Sequence, residues 1–148
     1  MKENLIKITI KGASGWCPCD LAYSDKLTIK QDGITYERKP VEENKNNPYV
    51  KWSYKTNGAK YKDVFHMLGE QIFQFQNMED MFVTDVTPNQ IKFFFEDKVL
   101  TFDTYFYDGV EKFVELVRRR ISHIACTALQ MMTKMMNVRY CRYCYCRR

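Results

Sequence analysis

The spacing of apolar and polar residues changes several times along the chain. From Ile6 to Lys11 the two kinds alternate, which predicts a strand with Ile6, Ile8 and Ile10 on one face. Gly12-Ala13-Ser14-Gly15 is expected to end it. Leu27-Thr28-Ile29-Lys30 and Ile34-Thr35-Tyr36-Glu37-Arg38 alternate on either side of Gln31-Asp32-Gly33. An Asp-Gly step between two such runs predicts a tight hairpin with positive φ at its centre. Polar residues from Pro40 to Pro48 read as a loop, and Tyr49 to Lys55 as another strand. Steps of three and four then connect Tyr61, Val64, Phe65, Leu68, Ile72 and Phe75, the apolar stripe of a helix. Met81 to Val86, Ile91 to Phe95 and Val99 to Phe102 read as strands, with Thr87 to Gln90 as a turn. The helical period returns from Val110 through Phe113, Val117 and Ile124 to Ala128. Asp108 is placed as its N-cap, and Glu111 completes a capping box.

These elements predict an α+β fold: an antiparallel sheet of about six to seven strands with two helices on one face. A duplicated βββα unit also fits, since Ile34, Tyr36, Trp52 and Phe65 align with Ile91, Phe93, Leu100 and Phe113. Aromatics crowd some strands (Trp52 and Tyr54; Phe93, Phe94 and Phe95), either because they suit β structure or because they form a partner surface.

The 148 residues suit one domain with an adequate core of its own. No apolar run is long enough for a spanning helix, and the first residues lack a signal peptide's apolar stretch. Charge divides the chain. The formal net charge is +5, yet residues 1–117 are net −3 and residues 118–148 are net +8. Residues 1–136 are therefore expected to form the α+β domain. Residues 137–148 are read as a basic Cys/Tyr/Arg tail, either an ill-ordered appendage or a working part of the protein. Arg118-Arg119-Arg120 reads as the solvated face of the second helix.

Candidate chemistry is sparse. Cys17-Pro18-Cys19 follows the first strand, and Cys141-x-x-Cys144 lies in the tail with Cys146 close behind. Four thiols from two such pairs could hold a structural zinc, with Cys17, Cys19, Cys141 and Cys144 as ligands and Cys146 as a substitute. Neighbouring arginines would favour the thiolates. The alternative is that all of them are reduced and unliganded. The tail's Arg139, Arg142, Arg147 and Arg148, interleaved with Tyr140 and Tyr143, could bind phosphates and stack on bases. His66 and His123 each fall on a predicted helix and read as packing residues. A Cys17–His66 nucleophile–base pair would depend on the two meeting in space. Phosphate-loop, zinc-protease and nucleophile-elbow motifs do not occur in the sequence.

The segment Gly15-Trp16-Cys17-Pro18-Cys19-Asp20-Leu21-Ala22-Tyr23-Ser24-Asp25-Lys26-Leu27-Thr28-Ile29, with Lys51-Trp52-Ser53-Tyr54-Lys55-Thr56 downstream, resembles a group of small uncharacterised proteins of Gram-positive gut bacteria and their mobile elements. The resemblance implies a cytoplasmic bacterial protein and carries no activity with it. The expected function is that of a non-enzymatic binding or regulatory protein acting through protein contacts or as a homo-oligomer, for instance as an inhibitor encoded by a mobile element. The alternative is a zinc-stabilised nucleic-acid-binding module that uses the basic tail.

Overall fold

A strand with alternate apolar residues has one side to bury and one to leave in water. Six such strands form a single sheet in the computed structural model, which describes residues 4–14, 17–72, 89–103, 112–117 and 119–120. The strands are β1 (Leu5–Ala13), β2 (Tyr23–Lys30), β3 (Gly33–Pro40), β4 (Val50–Lys55), β5 (Asn89–Phe95) and β6 (Val99–Asp103). Their spatial order is β4-β3-β2-β1-β5-β6, and every neighbouring pair is antiparallel. Three strands therefore meander outward from β1 on one side, and the β5–β6 hairpin returns to its other side. With the helix α1 (Ala59–Glu70) and helical residues 112–117 and 119–120 (α2), the architecture is α+β.

The sheet is packed on one face. Ile8 lies opposite Ile29 on β2 and Phe93 on β5, and Ile10 opposite Leu27 and Ile91. Tyr61, Phe65 and Leu68 of α1 join this cluster, as do Phe113, Val114 and Val117 of α2. The Phe93 ring stands 5.5 Å from Phe113 and 6.0 Å from Phe102, edge-on to the latter. These distances suit aromatic packing. Trp52 and Tyr54 are two residues apart and share the packed side, where both are partly buried against the core.

Several elements depart from the alternation that suggested them. Pairing between β1 and β5 shifts by a residue at Leu5–Lys7, so Leu5 packs against the core while Ile6 is 48% exposed. The three isoleucines therefore do not share a face, because a bulge reverses the side on which the next residue lies. Strand β1 also continues through Gly12 and Ala13, which pair with Asp25 and Ser24. Strand β2 begins at Tyr23, four residues before its apolar run, held by this pairing and by β3. Asn89 and Gln90, expected in a turn, begin β5. Helix α1 ends at Glu70 with Gln71 as its C-cap, while Phe75 lies outside the described residues, as do the expected strand at 81–86 and the capping box of Asp108 and Glu111.

The hairpin forms, but Gly33 has a different role from the one expected. Lys30 pairs with Gly33, leaving Gln31 and Asp32 as the turn, and Gly33 has no positive φ. Its missing side chain matters because a Cβ would strike the Tyr54 carbonyl oxygen of β4 and approach the Lys55 Cα to 3.2 Å. The same corner is tied to α1. The Tyr61 hydroxyl lies 2.6 Å from the Lys30 carbonyl and 2.8 Å from that of Gly33, so its single proton is shared between the backbone oxygens on either side of the turn. Burial, and then the nearby Asp32 carboxylate, push the Tyr61 hydroxyl's pKa far above its ordinary value.

Gly33→Ala should destabilise the protein by about 1–3 kcal/mol, measured by urea unfolding, because the β4 backbone must move aside. Tyr61→Phe should cost about 1 kcal/mol near neutral pH through the lost hydrogen bond. Above pH 10 the unfolded tyrosine ionises and the buried one resists, so native stability falls as pH rises. The Phe variant should therefore show a flatter decline in urea midpoint than the parent above pH 10.

Candidate binding surface

The second face of the sheet is built from the alternate residues of the same strands, and antiparallel register lines them up in three rows. The middle row carries hydroxyls: Thr9 faces Thr28, which faces Thr35, which faces Ser53. On its other side Thr9 faces Lys92, which faces Thr101. One flanking row runs from Lys7 to Lys30 and past Gly33 to Lys55. The other runs from Lys11 through Lys26 and Glu37 to Lys51. Most of these side chains are exposed, including Lys11, Lys26, Lys30, Lys51 and Lys55.

Like charges face each other directly at Lys7–Lys30 and Lys11–Lys26, an arrangement that costs stability in a sheet. Two local contacts soften the repulsion. The Lys7 ammonium lies 4.3 Å from the centre of the Phe94 ring, which shares its face. Glu37 stands between Lys26 and Lys51, and its carboxylate is 3.8 Å from the Lys39 ammonium. The Tyr49 hydroxyl donates to Glu37 at 2.8 Å, and this hydrogen bond, aided by the lysines, holds the Glu37 carboxyl below its ordinary range. Asp103 at the far edge is a second acid on this face among the described residues.

A further cation belongs to the packed side. Arg38 is 6% exposed, with one guanidinium nitrogen 2.7 Å from Asn47 Oδ1 and the group stacked 3.8 Å from the centre of the Tyr23 ring. Its Nε has no hydrogen-bond partner among the described residues. Asn47 is itself fully buried and donates to the Ala22 carbonyl at 2.9 Å, while Asn44 Oδ1 accepts the Asn46 and Asn47 amides. The polar loop is thus folded around a buried arginine that stitches β3 to β2. This accounts for Arg38 structurally.

The residues singled out by their chemistry lie only in part among the described residues. Cys17 and Cys19 are exposed and unpaired, and the Cys17 thiol donates to Ser14 Oγ at 3.2 Å. Cys141, Cys144 and Cys146 lie outside the described residues, as do Arg139, Tyr140, Arg142, Tyr143, Arg147, Arg148 and His123. Among the described residues, no three His, Cys, Asp or Glu side chains gather to hold a metal. His66 is exposed on α1, with its ring beside Phe65. Arg119 and Arg120 are exposed, and Arg119 reaches Glu115 one turn back at 3.3 Å.

The lysine rows escaped a reading based on total charge, although a signal for them exists. Lys7 and Lys11, Lys26 and Lys30, and Lys51 and Lys55 are each four apart within a strand, and so on one side of it. No protein-family model matches this chain, and no curated protein does. Among the described residues, no helix is long and apolar enough to cross a membrane.

Relieving the cross-strand repulsion should stabilise the isolated protein. Lys30→Glu, which sets opposite charges against each other at Lys7, should add roughly 0.2–1 kcal/mol at low ionic strength. Thermal unfolding should show that gain shrinking in about 1 M salt, where the Debye length is about 3 Å.

Proposed function

We propose that this chain is a non-enzymatic binding protein and that the exposed face of its sheet is its working surface, suited to an anionic partner. The observation that carries this reading is the pair of lysine rows flanking a row of hydroxyls, with like charges directly opposed on adjacent strands. Neutral residues would satisfy the exposed side of a sheet at lower cost, so an arrangement that spends stability on concentrated charge fits a surface kept for binding.

The aromatic residues give less support to a partner surface than their number suggests. Trp52, Tyr54, Phe93 and Phe95 all belong to the packed side, and Phe94 is half-buried beneath Lys7. The proposed partner is therefore recognised through charge and hydroxyl donors. A doubled βββα ancestry, with both helices on the packed face, is compatible with this reading. Ile34 and Ile91, Tyr36 and Phe93, and Phe65 and Phe113 are aligned by the sequence and are all buried.

Immobilised heparin, a sulfated polyanion, offers a direct test at physiological ionic strength. The full chain should be retained and released by added salt. Replacing Lys7, Lys11, Lys26 and Lys30 together by Gln should abolish retention, whereas Lys60→Gln with Lys62→Gln, exposed on α1, should leave most of it. Equal retention of both variants would remove the sheet face from the reading.

A further inference from the structure

The partner chemistry can be narrowed on the basis of that reading. We infer that the exposed sheet face docks double-stranded nucleic acid by its phosphate backbones, with one lysine row on each side of a groove. Three observations converge on this: row spacing, side-chain type and the lack of an apolar centre.

Lys7 and Lys11 are four residues apart on β1, as are Lys26 and Lys30 on β2. At about 3.3 Å per residue, the two basic rows stand about 13 Å apart. The major groove of a B-form duplex is about 12 Å wide, so the rows can face the phosphates of its two opposite walls. Between them, the half-buried Thr28 and Lys92 supply a hydroxyl and an ammonium on either side of Thr9, which is itself buried.

Side-chain type separates nucleic acid from an acidic protein. Protein interfaces are enriched in aromatic residues, Met and Arg at their centres and depleted in Lys and Ser. This face is the reverse: its centre is threonine, serine and lysine, the large apolar residues of β2 and β3 lie on the other side, and Phe94 and Val99 stand toward the β5–β6 edge. Lys, Ser and Thr are among the side chains that contact phosphate oxygens.

The form of the nucleic acid follows from the same inventory. Single-stranded binders stack bases on exposed aromatic rings. The described aromatic residues on this side are Phe94, half-buried under the Lys7 ammonium, and Tyr49, which precedes the edge strand β4 and has its hydroxyl held by Glu37. With no described aromatic ring between the lysine rows of β1 and β2, affinity comes from phosphate charge, and a duplex presents the greater charge density. Contacts of this kind carry no base readout, so binding should be indifferent to sequence.

Fluorescence anisotropy with a labelled duplex of about two helical turns and arbitrary sequence tests the inference on the full chain. If six row lysines engage phosphates, affinity should fall about 10³-fold between about 50 and 200 mM salt. Lys7→Gln with Lys30→Gln, or Lys11→Gln with Lys26→Gln, should each reduce the magnitude of the log–log salt slope by about 2. Lys60→Gln with Lys62→Gln should leave the slope unchanged. A loss confined to substitutions at Arg139, Arg142, Arg147 and Arg148 would assign binding to the tail and overturn the inference. Equal or tighter binding of the unpaired strand, polyglutamate or phosphatidylserine vesicles would also overturn it. Retention on heparin would still stand in those cases, which separates failure of the duplex from failure of the binding surface. Should the paired substitutions disturb folding, acetylation of the unaltered protein gives the same answer: duplex should protect Lys11, Lys26 and Lys30 and leave Lys60 and Lys62 reactive. Equal labelling of both groups with and without saturating duplex would count against it.

Discussion

The close packing of Ile8, Ile29, Ile91 and Phe93 across the three middle strands fixes the side that every other residue of the sheet must take. A strand has no third option: once these four are buried, their neighbours in sequence point the opposite way. Phe65, Leu68, Phe113 and Val117 of the helical segments belong to the same buried cluster. What remains outside is a set of residues constrained by register to stand in straight rows.

This explains why lysines that are separated along the chain become neighbours. Lys7 and Lys30 are connected by a long stretch that includes the Cys17–Cys19 loop, but antiparallel pairing of β1 with β2 sets them directly opposite each other. The acids lie mostly elsewhere: Asp32 in a turn, Glu42 and Glu43 in the polar loop, Asp63 and Glu70 on α1, Asp97 in the β5–β6 turn. A body of net negative charge thereby acquires one positive face. Glu37 moderates that charge locally, and Tyr49 helps to keep it ionised.

Much of the fold was legible in the alternation. Ile34 to Arg38 shows it clearly, and Ile91 to Phe95 and Val99 to Phe102, richer in apolar residues, are also strands of the sheet. The periodic stripe of Tyr61, Phe65 and Leu68 identified α1 because those three residues are buried together. Failures occurred where pairing overrode local composition. Ser24-Asp25-Lys26 has little intrinsic strand character, yet lies between two strands that satisfy its backbone groups. At Leu5–Lys7 a bulge breaks the simple parity, and nothing in the order of apolar and polar residues marks it. Gly33 was recognised as a turn signal, but its small size is required by the third strand that passes beside it. Of the candidate site, thiols and arginines drew notice as residue types, whereas the lysines mattered as an arrangement.

The sequence by itself determined which residues could alternate, where the hairpin would bend, and that the body would be slightly acidic beside a strongly basic end. Those properties depend on residues close together in the chain. Strand order, the bulge at Leu5–Lys7 and the meeting of Lys7 with Lys30 and of Lys11 with Lys26 were decided only in the tertiary structure. The physical reason is that charge density depends on separation in space, and a sheet brings residues about 5 Å apart whatever length of chain divides them.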